Sequence, residues 1–116
     1  MSQREVEPLL HDVLKAGERI LAYVGDRSVE EYVRDEIAHA VAERNFITIG
    51  EALTQAMKIS ADIGAKIPAA RDAIAFRNVL THGYRLIDDR RVWKIAHDGL
   101  PLLLSQCRAL LGELPA

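Results

Sequence analysis

Apolar residues recur at intervals of three and four over most of this 116-residue chain, and no stretch of useful length alternates at the period of two that a strand requires. A chain patterned in this way has to bury helical stripes against one another. Val6, Leu9, Leu10, Val13, Gly17, Ile20, Leu21 and Val24 form one such stripe over residues 1–24. Gly25-Asp26-Arg27-Ser28 punctuates it, and Ser28 followed by Glu31 fits a capping box for the next helix. That second helix is expected to run from about 29 to about 59, with Val33, Ile37, Ala40 and Val41 as the stripe of its first half. Its second half, Phe46, Ile47, Ile49, Ala52, Leu53, Ala56 and Met57, is apolar over a wide arc. An arc that wide is usually buried on more than one side, and a second copy of the chain is an expected cover. Gly50 within it costs about 1 kcal/mol relative to Ala, a cost that close approach of another helix would explain.

Residues 60–68 read as a connection ending in Pro68, which suits the first position of a third helix running to about Thr81. Asp88 or Asp89 can cap a fourth helix carrying Val92, Trp93, Ile95 and Ala96. Asp98-Gly99-Leu100-Pro101 interrupts it, because Pro cannot sit deep inside a straight helix. Leu103, Cys107, Leu110 and Leu114 form the last stripe. The expected architecture is one all-α domain over residues 1–116, an up-and-down four-helix bundle whose C-terminal helix is broken.

Composition narrows the function classes. With 28% charged residues and a net charge of −2, no overall basic field advertises nucleic acid. The single cysteine, Cys107, excludes an internal disulfide and a cysteine metal cage; it reads as a small core residue. No apolar run approaches the roughly 18 residues of a membrane span, and the first residues lack the apolar centre of a signal peptide. A cytoplasmic protein is expected, with no cofactor and no metal.

The chemistry concentrates in Arg77-Asn78-Val79-Leu80-Thr81-His82-Gly83-Tyr84. Ala70, Ala73 and Ile74 place Arg77 on or beside the apolar face, where a guanidinium must be paired, bridged by water or held in a cleft. Glu51 could pair with it across helices. Gly83 ends the helix, leaving His82 and Tyr84 at its C-terminal end. An imidazole can act as base or acid near neutral pH. A guanidinium can hold a phosphate by two parallel hydrogen bonds, and Asn78 can support either group. RNA brings its own nucleophile, so proton transfer and charge stabilisation suffice for cleavage. Yet Arg77 and His82, five residues apart, fall about 140° apart on an ideal helix. They converge only if His82 leaves helical geometry or if a two-fold dimer brings both copies to one cleft. By spacing alone, a salt-bridged Arg and a dipole-complementing His are the ordinary reading. His11, His39 and His97 read as scattered surface or helix-face residues. Arg85, Arg90 and Arg91 read as a solvated helix start, or as a phosphate-binding fringe.

Arg-Asn-x2-Thr-His-Gly-Tyr resembles the Arg-x4-His-x-Tyr motif of the HEPN superfamily, specifically the HepT-like toxins. Glu43-Arg44-Asn45 and Ile49-Gly50-Glu51-Ala52 resemble the family's second helix, and Ile67-Pro68, Val92-Trp93 and Asp98-Gly99-Leu100-Pro101 also fit. Gly99 is the nearest departure and touches no motif position. The resemblance implies a homodimeric, metal-independent ribonuclease toxin of a HepT/MntA-type (type VII) toxin–antitoxin pair. It implies Arg77 and His82 as catalytic residues in the dimer cleft and an MntA-like nucleotidyltransferase as antitoxin, silencing the toxin by AMP transfer to Tyr84. The competing readings are a non-catalytic subunit that presents RNA or nucleotide to the transferase, and a plain interaction scaffold.

Overall fold

A computed structural model describes residues 2–83 and 87–114. Among these residues the chain is all-α: α1 (Ser2–Val24), α2 (Val29–Val33), α3 (Glu36–Ile59), α4 (Ile63–Lys66), α5 (Ala70–His82), α6 (Asp89–His97) and α7 (Gly99–Glu113). The central element is α3. It packs against α1 on one side and α5 on the other, and α7 returns along α1. The first stripe is buried as its spacing predicts, with Val6, Leu10, Val13, Ile20 and Val24 in the core.

The expected single helix over 29–59 is in fact two. Ser28 and Glu31 form the capping box of α2, but Asp35 then takes an extended backbone and its side chain accepts the Ala38 N–H, restarting the chain as α3. Such a cap contributes on the order of 1 kcal/mol. The break resets the helical phase. Ile37 and Ala40, expected on the buried stripe, point outward, Ile37 at 69% exposure, while Ala38, Ala42 and Asn45 face the core. The Asn45 amide is satisfied within the helix, donating to the Val41 carbonyl oxygen at 2.8 Å.

Most of the wide apolar arc of α3 is covered within the chain. Phe46, Ile49, Ala52, Leu53 and Ala56 are buried between α1 and α5, and Phe46 meets Phe76 edge to face, centroids 5.2 Å apart. Ile47 and Met57, the other two residues of the arc, are half-buried. Gly50 lies at a close approach of α3 and α5. A Cβ there would fall 2.2 Å from Arg77 Cβ and 2.7 Å from its Cγ.

The connection after α3 contains the short helix α4, and α5 starts at Ala70 with Pro68 just outside it. The side-chain oxygen of Gln106, on α7, accepts the Ala69 N–H at 2.9 Å, capping α5 from a distant part of the chain. Asp88 is the cap of α6, accepting from Arg90 and Arg91 N–H. The break at Asp98 falls where expected, with Pro101 in the first turn of α7, where a missing N–H costs nothing. Cys107 is fully buried, and burial pushes its thiol up to about 12. No described helix is long and apolar enough to cross a membrane.

Candidate functional site

The Arg77 side chain is built into the α3–α5 contact. Its stem passes over Gly50, where the absence of a side chain makes room. Its head emerges at the rim, where Nη2 donates to Glu51 Oε2 at 3.2 Å and Nη1 donates to Asn78 Oδ1 at 3.1 Å. The side chain as a whole is 29% exposed. Nε is buried and has no hydrogen-bond partner among the described residues. The expected pairing of this cation is met by Glu51, itself half-exposed on α3.

His82 is the last residue of α5 and keeps helical geometry. Gly83 caps the helix with φ −106°, its N–H donating to the Val79 carbonyl oxygen at 2.7 Å. This φ is not left-handed; the glycine is needed for space, since a Cβ would sit 2.9 Å from that same oxygen. His82 therefore does not swing toward Arg77 by leaving the helix. The two stay about 140° apart around α5, Arg77 against α3 and His82 exposed. Asn78 and His82 are four residues apart and share a face. Tyr84 and Arg85 lie outside the described residues.

His82 also continues a second face. Ala75 and Val79 precede it by seven and three residues, and both line an apolar groove of about 410 Å³ between α5 and the α6–α7 corner. Phe46, Phe76 and Leu102 are also in that wall, and Arg91 sits over the Phe76 ring at 5.6 Å. One helix thus carries its cation on one side and aligns its imidazole with an open apolar groove on another.

Several other titratable side chains have local structural partners. His39 Nε2 lies 2.7 Å from the Tyr32 carbonyl oxygen. His97 Nδ1 is 2.9 Å from the Trp93 carbonyl oxygen and Nε2 is 3.2 Å from that of Gly25. Trp93 Nε1 donates to the Arg27 carbonyl oxygen at 2.8 Å, so α6 is tied to the turn after α1. His11 is exposed beside Glu7. Arg90 is paired loosely with Glu30 at 3.8 Å. Glu43 is pushed up from the usual carboxylate range by burial and by the Asp89 charge. Among the described residues no group of three or more His, Cys, Asp and Glu is placed to hold a metal ion.

Gly50 and Gln106 are the positions whose part in the site spacing alone did not reveal. Gly50 was visible as an unfavourable helix residue, without the identity of the side chain it admits. Gln106 left no signal, because a cap supplied from 37 residues away has no local pattern.

Comparison with known proteins agrees over most of the chain. The family model described as "Ribonuclease HepT-like" matches residues 13–110. The chain is similar to three proteins of Methanocaldococcus jannaschii. It is 28% identical to "Putative RNase MJ1380", over 91% of this chain and 96% of that protein. It is 26% identical to "Putative RNase MJ0125", over 98% and 97% respectively, and 24% identical to "Putative RNase MJ1216", over 98% and 93%. No solved structure matches. With its motif helix, its helical core and nearly its whole length inside the match, the chain belongs to the HepT-like ribonuclease family.

Proposed function

We propose that this chain is a metal-independent endoribonuclease, the toxin of a toxin–antitoxin pair, with Arg77 and His82 as its catalytic residues and Asn78 in support. The observation that carries the reading is the fixed guanidinium of Arg77 at the rim of the α3–α5 contact, in a chain of a ribonuclease family. An imidazole of His82 takes the proton of an RNA 2′-hydroxyl. The freed oxygen attacks the adjacent phosphorus, and the bond from phosphorus to the 5′-oxygen breaks. That oxygen leaves with a proton from an imidazolium, giving a 2′,3′-cyclic phosphate and a 5′-hydroxyl. Arg77 offsets the charge that grows on the phosphoryl oxygens.

The separation of the two side chains around α5 means that one protomer does not assemble this set. A two-fold homodimer does: an isologous interface places both copies of each residue at one cleft. The apolar groove in line with His82 gives a second copy something to bury. Purified protein should cut cellular RNA in EDTA, leaving cyclic phosphate ends, and should run as a dimer by light scattering. A monomer that binds RNA without cutting it would instead establish the other reading, a non-catalytic subunit presenting RNA or nucleotide to a transferase. The Arg77–His82 separation is the observation in that reading's favour.

The partner is an MntA-like nucleotidyltransferase antitoxin, and Tyr84 is where it acts. The phenolic oxygen attacks the α-phosphorus of ATP, AMP is joined to the tyrosine, and pyrophosphate leaves with loss of the phenolic proton. The added phosphate brings negative charge and bulk two residues from His82. Tyr84→Phe keeps the ring and removes the acceptor. It should retain most of the nuclease activity, gain no AMP-sized mass with ATP and the partner, and escape silencing. Silencing of Tyr84→Phe to the wild-type extent would place the switch elsewhere.

A further inference from the structure

The consecutive residues Gly50 and Glu51 both engage Arg77, one at its stem and one at its head. The stem is confined because α3 and α5 touch where residue 50 has no Cβ. The head is confined at Nη2 by the Glu51 carboxylate at 3.2 Å and at Nη1 by the Asn78 side-chain oxygen. Nε is turned inward and buried. A guanidinium has five N–H bonds, four of them on the Nη atoms. Two of those four are engaged, and the other two remain to meet an anion at the rim.

We propose that Glu51 is a positioning residue for the ribonuclease reaction, fixing the orientation in which Arg77 presents its guanidinium to the scissile phosphate. The inference rests on the function proposed above. A contribution to fold stability does not account for the pair. Glu51 is 53% exposed, and ion pairs at such positions add little to stability in water. Nor does simple attraction of RNA, since a carboxylate beside the cation repels a phosphate. What remains is geometry: Glu51 gives a long side chain one direction, and a misplacement of about 1 Å in a reacting group can cost on the order of a hundredfold in rate.

Substitutions separate these roles. Glu51→Gln keeps an acceptor oxygen at the same reach and removes the charge; Glu51→Ala removes both. Positioning predicts that Glu51→Ala lowers kcat about tenfold to a hundredfold with little change in KM, and that Glu51→Gln stays within about threefold of wild type. An Ala variant with unchanged kcat, or with improved KM and unchanged kcat, would overturn the proposal, the latter showing a carboxylate that merely repels RNA. A Gln variant as slow as Ala would also overturn it, because the charge and not the orientation would then matter. A second readout needs no activity. The buried Arg77 Nε–H should exchange slowly with solvent by NMR in wild type and in Glu51→Gln, and rapidly in Glu51→Ala. Slow exchange in Glu51→Ala defeats the positioning role even if the wild type cuts no RNA. Loss of protection in Ala alone, in a protein that cuts no RNA, would leave the seat of Arg77 in place while removing the ribonuclease reading.

Discussion

Replacing His82 by Ala is expected to lower RNA cleavage by about a hundredfold to ten-thousandfold, the usual loss for an acid–base group. Arg77→Ala should cost about a hundredfold to a thousandfold, as expected for one donor to a developing oxyanion. Neither should unfold the chain. His82 is exposed, and Arg77 gives up one partly exposed ion pair; circular dichroism checks this. The informative experiment mixes the two inactive proteins after dissociation. Within one chain Arg77 and His82 point away from each other, so the proposed cleft pairs the Arg77 of one copy with the His82 of the other. A mixed dimer then has one intact cross-chain pair and one doubly damaged pair. Random re-pairing makes half of the dimers mixed, so roughly a quarter of wild-type activity should return. No recovery would mean that each chain's own pair does the work. Near-wild-type cleavage by His82→Ala alone would remove the assigned role.

The second large effect is on the fold. Gly50→Val should destabilise the protein by about 1–3 kcal/mol or more, the range seen when atoms are forced into a filled core. Even Ala adds a Cβ 2.2 Å from Arg77 Cβ, an atom held by the α5 backbone that cannot swing aside. The roughly 1 kcal/mol that Ala gains over Gly in helix propensity offsets only part of this. Gly112→Ala is the internal control. It also lies in a helix, and a Cβ there meets nothing within 4 Å, so it should be neutral or slightly stabilising. Urea midpoints, with unchanged slopes, compare the two. Equal effects at 50 and 112 would contradict the close contact of α3 with α5.

How much could be read from the sequence depended on whether the signal was local. The Ser28–Glu31 box, the Asp88 cap and the break before Pro101 were legible, since each is a side chain acting within a few residues of itself. The division between α2 and α3 was not. Val33-Arg34-Asp35-Glu36 contains neither Gly nor Pro, and Asp35 reads as one more charge on a helix face until its backbone is seen to be extended. That single cap shifted the apolar phase and reversed the expected placement of Ile37 and Ala40. At the site, the Arg77–Glu51 pair was foreseen from the cost of an unpaired guanidinium near an apolar face. Gly50 was foreseen as a point of close approach, but the approaching helix proved to be α5 of the same chain. The separation of Arg77 from His82 follows from helical geometry alone; that His82 stays helical had to be observed.

The seat of Arg77 alters what counts as a diagnostic signature in this lineage. A chain could keep Arg77, Asn78, His82 and Tyr84 intact and still lose function by acquiring a side chain at position 50, because the arginine would be displaced without being replaced. Inheritance of the motif and inheritance of activity can therefore part company at a residue 27 positions upstream of the arginine. Substitutions at 50 should survive selection chiefly where the spacing of the two helices has widened in compensation, or where catalysis has already been abandoned.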